Sequence, residues 1–148
     1  GDTRTACRCK PEQIRRYRDR LSGPLLDRID MHVTVPALPQ GEVLALAAPS
    51  EATAPVRERV CAARERQLQH RGKSNAMLST REIEQYCALD EEQRALMARA
   101  MEKLGLSARA YHRVLKVART IADLANSEQI LTAHLQEALS YRNVDRGV

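Results

Sequence analysis

Three groups of side chains in this sequence have types and spacing that suit chemistry. The first centres on Arg28, in the run Ser22-Gly23-Pro24-Leu25-Leu26-Asp27-Arg28-Ile29-Asp30. A proline-opened turn sets one guanidinium between two carboxylates. Guanidinium is permanently charged and planar, and its fork of donors matches phosphate oxygens. The chain has no phosphate-binding loop, so a nucleotide served by Arg28 must sit on another molecule. The plainer reading is an ion pair with Asp27 or Asp30, which contributes little at a surface.

The second group is Arg109, Arg113 and Lys116, spaced i, i+4, i+7 on one helical face. No acidic residue lies between Gly105 and Arg119 to neutralise them. A helix N-terminus favours anions, so a cation at Arg109 is a local electrostatic cost of the kind that marks a phosphate ligand. Arg113 and Lys116 are weaker candidates for nucleic-acid contacts; a solvated charged face is the alternative for all three. The third group, Cys7-Arg8-Cys9, has the spacing of half a zinc site, and no nearby Cys or His pair completes four ligands. A pair of exposed thiols is the alternative there.

Other motifs fail on inspection. Arg71-Gly72-Lys73-Ser74 has Gln67 where a phosphate loop needs glycine, and a helix rather than a strand before it. It reads as a basic loop, open to nucleic acid. No Ser-His-Asp order and no His-Glu-x-x-His helix occurs, and His32, His70, His112 and His134 are isolated, with His112 expected to face solvent.

The elements that position these residues follow from composition and caps. The 148 residues include no Trp and no Phe, and the aromatics are Tyr17, Tyr86, Tyr111 and Tyr141. The core must therefore be aliphatic, which favours close-packed helices. Pro11 starts a helix expected through Leu21, and Met31 to Val35 alternates like a strand ended by Pro36 and Pro39. Such a strand has no ladder partner in this chain and belongs to a sheet built elsewhere. Gly41 to Ser50 reads as an Ala/Leu/Pro linker. Every later element reads as helix: Pro55 to Leu68 with Val56, Val60 and Ala63 on one side, Ser79 through Ala88, Asp90 to Gly105, Ser107 to Ala125, and Thr132 to Tyr141. The helix after Ser107 is read as the longest, with Ala110, Val114, Val117, Ile121 and Ala125 as its apolar stripe. Cys61 and Cys87 fall on apolar faces and are expected to be reduced core residues. The net charge of +5 is compatible with nucleic acid without demanding it. No apolar run spans a bilayer, and a soluble cytoplasmic protein is expected. The start at Gly1-Asp2-Thr3, without an initiator methionine, suggests a piece of a longer chain.

Two strings carry a resemblance. Cys7-x-Cys9-x-Pro11-Glu12-Gln13-Ile14, followed by Tyr17 and Arg20 through Asp30, resembles the ComM/YifB-like proteins of the magnesium-chelatase-related branch of the AAA+ ATPases. Leu106 through Leu124 and the end from His134 to Arg142 are similar to the same family's lid. The resemblance implies a mainly α fold, with residues 1–45 as the C-terminal remnant of an α/β ATPase core and 46–148 as a five-helix lid. It implies that Arg28 is an arginine finger acting in trans on a neighbour's ATP, and that Arg109 is the sensor-2 arginine. It further implies ATP and Mg2+ in the longer protein, a hexameric ring of identical subunits, and DNA as partner in branch migration during DNA uptake and recombination. Cys7 and Cys9 would be the second half of a cysteine cluster, with zinc an option in the longer protein. A nucleic-acid-binding helical module and a magnesium-chelatase-type metal-insertion subunit are the alternatives. By itself the chain is expected not to hydrolyse ATP, and residues 1–45 are expected to be poorly ordered or to pack opportunistically.

Overall fold

Caps fix where most helices begin and end in the computed structural model, which describes residues 8–18, 20, 23–35 and 51–142. Helix α1 spans Pro11–Arg18, so it stops short of Leu21, and α2 is the single turn Gly23–Leu26. Helix α3, Thr53–Arg71, ends where Gly72 takes a left-handed φ of 69° and donates its N–H to the Leu68 carbonyl. Only glycine adopts that conformation without strain. A 3-10 turn, Asn75–Met77, then leads to α4, Thr80–Tyr86.

The N-terminus of α4 is a reciprocal capping box. The Ser79 hydroxyl accepts from the Glu82 N–H, and the Glu82 carboxylate accepts from the Ser79 N–H at 2.8 Å. Lys73 also donates to Glu82, at 2.7 Å, and with Ser79 it holds the carboxyl down at about 2. Asp90 and Gln93 make a second box for α5, Glu91–Leu104, which stops at the left-handed Gly105. Ser107 caps α6, Ala108–Leu124, by accepting from the Ala110 N–H, and Asn126 at φ 56° turns the chain after it. The last helix, α7, is Thr132–Ser140. Its cap differs from expectation: Thr132 is already helical, and the Leu131 N–H donates to Nδ1 of His134 at 3.1 Å. His134, read as isolated, is thus the N3 member of this cap.

Among residues 51–142 there are five α-helices and one 3-10 turn, and the molecule is mainly helical as expected. Helix α6 is central, packing on α7 and α3 and touching α4. The buried face of α6 is Ala110, Val114, Leu115, Ala118 and Ala122. The expected stripe is therefore rotated: Val117 and Ile121 are half-buried at the core margin, and Ala125 is exposed. Small side chains take the centre because they let neighbouring backbones approach closely. At 19 residues α3 is longer than α6 at 17, and its Val56, Val60 and Cys61 are exposed, leaving Ala63 and Gln67 as its buried residues. Cys87 is a core residue as expected, and burial pushes its thiol up to about 11.

A buried polar cluster joins α3 to α6. Asp123 pairs with Arg71, accepts from Asn75 at 2.8 Å, and meets Arg119 at 3.1 Å. Arg119 also donates to the Ser127 and Glu128 carbonyls at 2.6 and 2.8 Å, holding the α6–α7 loop. The Arg71–Ser74 segment is thus no open basic loop, because Arg71 is drawn into the interior and Lys73 is engaged with Glu82.

No strand forms at Met31–Val35, and none occurs among the described residues. A lone strand has no ladder to join. The His32 N–H instead donates to the Tyr141 carbonyl at 2.8 Å, laying this segment against the end of α7. The linker read at Gly41–Ser50 and the residue Cys7 lie outside the described residues.

Candidate functional site

Helix α2 runs directly into the turn that presents Arg28. The Arg28 N–H donates to the Leu25 carbonyl at 3.0 Å and the Ile29 N–H to the Leu26 carbonyl at 3.2 Å. The two flanking carboxylates turn away from Arg28 and onto the helical body. Asp27 accepts from the Ser107 hydroxyl at 2.6 Å, and Asp30 pairs with Arg113. Arg142, a buried residue, donates to the Ile29 carbonyl, and desolvation lowers its guanidinium below the ordinary arginine value. Arg28 is exposed and makes no ion pair with a described residue. The local pairing with Asp27 or Asp30 offered by the sequence is not what forms: Asp27 bonds to Ser107 and Asp30 to Arg113.

Arg109 sits in the first turn of α6 and is also exposed. It borders an open cavity of about 520 Å³ shared with Asp30, Ser79, Thr80, Arg113 and Lys116. Within it, Arg113 is committed to Asp30, and Lys116 donates to the Ala76 carbonyl at 2.9 Å. The two weaker nucleic-acid candidates thus have partners inside the chain, and Arg109 stands out by contrast. His112 is half-buried with its ring edge-on to Tyr111, 5.5 Å between centroids, rather than facing solvent. Asp27 reaches the N-terminus of α6 through the capping Ser107, where an anion is favoured by the helix dipole.

The structure therefore brings the Arg28 turn and the Arg109 turn onto one helix end, joined by residues the sequence reading did not single out for this role. Asp27 and Asp30 were read as partners of Arg28, and Ser107 only as a cap. Arg142 belonged to the resembling terminal string without a role. A second cavity, of about 400 Å³, lies behind the turn among Leu26, Asp27, His32, Gly105 and Arg142. Both ring nitrogens of His32 are buried there without a hydrogen-bond partner. Cys9 is exposed, and among the described residues no group of three or more His, Cys, Asp or Glu side chains is placed to hold a metal ion.

Comparison with known proteins accounts for nearly the whole chain. The family model for the magnesium chelatase subunit ChlI C-terminal region matches residues 50–142, and the model for magnesium chelatase subunit ChlI matches residues 1–43. Competence protein ComM of Haemophilus influenzae is 50% identical over 144 residues, covering 97% of this chain and 28% of that protein. The uncharacterized protein YifB of Escherichia coli is 50% identical over 139 residues, 94% of this chain and 28% of its own length. An uncharacterized protein of Mycobacterium bovis is 35% identical over 140 residues, 92% of this chain and 27% of its own. The chain thus spans under a third of the length of these relatives. No helix among the described residues is long and apolar enough to cross a membrane.

Proposed function

This chain belongs to the magnesium chelatase ChlI family, and on that premise we propose that it is the lid end of a ring-forming, DNA-remodelling AAA+ ATPase. Residues 1–45 are the last part of the ATPase core, and 46–148 are the helical lid. Arg28 reaches the triphosphate held by the next subunit, and Arg109 reads nucleotide state from the lid. ATP and Mg2+ belong to the longer protein, whose upstream residues carry the phosphate loop. The DNA role rests on the likeness to a protein named for competence.

The observation that carries this reading is that Arg28, bracketed by two acids, is nevertheless exposed and unpaired with them. A guanidinium intended only for local stability would take the nearest carboxylate. Among the described residues, Asp27 and Asp30 bond to Ser107 and Arg113 instead, and no ion pair holds the Arg28 fork. The exposed Arg109 fits the same ligand chemistry, since phosphate oxygens suit a guanidinium and a helix N-terminus together. In phosphoryl transfer, negative charge spreads over the γ-phosphoryl oxygens, and a fixed guanidinium stabilises it by roughly 10³ to 10⁵ in rate.

The test is Arg28→Ala in the full-length protein. Hydrolysis should fall by about 10³-fold or more, with ATP binding retained within a few-fold. Turnover at the wild-type rate would overturn the finger assignment.

A further inference from the structure

Resting on that reading, we propose that Asp27, Asp30, Ser107 and Arg113 form a polar clamp that makes Arg28 and Arg109 move as one body. Each clamp pair joins residues remote in sequence: Asp27 to Ser107 across 80 positions, and Asp30 to Arg113 across 83. The pattern is symmetric about the two arginines. Asp27 and Asp30 bracket Arg28 on its turn, and Ser107 and Arg113 bracket Arg109 on α6.

Ser107 makes the link stiff. Its oxygen accepts from the Ala110 N–H as the helix cap, and its O–H donates to Asp27. The first turn of α6 cannot shift without carrying the Asp27 carboxylate, because one hydroxyl serves both. The other edge of the segment is fastened by the Arg142 donation to the Ile29 carbonyl and by the His32 N–H to the Tyr141 carbonyl. A turn held on both sides follows the helical body. The Asp30–Arg113 pair is half-exposed, so it is weak alone and acts to position rather than to stabilise.

The functional consequence is directional. A displacement of the helical body carries Arg109 and, through the clamp, the finger offered to the next subunit. Nucleotide state would then pass around a ring through the lid. The four clamp residues touch no reacting atom in this scheme; they are positioning residues.

The experiment uses the full-length protein with Asp30→Arg, Arg113→Asp and the double exchange. Each single variant should lower kcat by roughly tenfold or more through misplacement of the finger, leaving the ATP dissociation constant within about twofold. Its Hill coefficient in ATP should drop to about one, and the double exchange should restore both values. Amide exchange at Arg28, Ile29 and His32 provides a readout independent of turnover: protection should be lost in each single variant and regained in the exchange. Single variants with unchanged kcat, cooperativity and protection would overturn the clamp. So would a folded double exchange that regains none of them. Arg28→Ala run in parallel separates the two claims, because wild-type turnover in that variant sinks the finger reading itself, whereas its inactivity beside unaffected clamp variants sinks only the clamp.

Discussion

Arg28 and Arg119 carry the same side chain to opposite ends. Arg119 is 3% exposed, paired with Asp123 and donating to two loop carbonyls, and desolvation lowers its guanidinium. Arg28 is exposed and is left unpaired by the acids on either side of it. The same contrast of environment separates Cys87 from Cys61. Burial pushes the Cys87 thiol up to about 11, while Cys61 lies exposed on α3. The thiolate is the reactive form, and a raised value means Cys87 stays protonated and sheltered at pH 8. A thiol reagent at pH 8 should label Cys61 readily and Cys87 only when the domain unfolds, as read by peptide mass spectrometry with and without denaturant. Equal labelling rates in the native protein would contradict the placement of Cys87 in the core. The permanent charge and donor fork of Arg28 follow from its residue type alone. The destination of its flanking acids was not legible in the sequence, because it depends on residues 80 and 83 positions away.

At the scale of elements, α3 and α6 are joined by polar contact. Asp123 faces two guanidiniums, Arg71 and Arg119, with Asn75 donating a further bond. Removing one partner of a buried ion pair leaves uncompensated charge, so Asp123→Ala should cost about 3–5 kcal/mol in denaturant unfolding. A loss under about 1 kcal/mol would mean that the cluster does not hold the two helices together. Local signals reported the helix boundaries well: Ser79, Asp90, Gly105 and Ser107 all cap or stop helices as their types imply. Tertiary choices were not local. The buried face of α6 includes Leu115, Ala118 and Ala122, with Val117 and Ile121 at the core margin, a rotation set by the helices packed on it. His134 replaced Thr132 in capping α7 through a ring nitrogen, a pattern outside the usual Ser/Thr signature. The alternation at Met31–Val35 produced no strand, since pairing requires a neighbour that the described residues do not supply.

At the scale of the whole molecule, the proposed function sets Arg28 across a subunit boundary from the nucleotide it serves. Rings of this kind have heterologous interfaces, in which each boundary takes one residue from each side. The most direct measurement mixes two inactive full-length variants, Arg28→Ala and one whose upstream phosphate loop is disabled, and follows ATP hydrolysis after subunit exchange. A boundary where the Arg28→Ala subunit holds the nucleotide and the loop-disabled subunit supplies the finger has both parts intact; random mixing in equal amounts makes this about one boundary in four. Hydrolysis should therefore reappear in the mixture although each variant alone is inactive. Mixed rings, verified by native mass spectrometry, that remain as inactive as either variant alone would contradict the assignment of Arg28 to the neighbouring subunit's nucleotide.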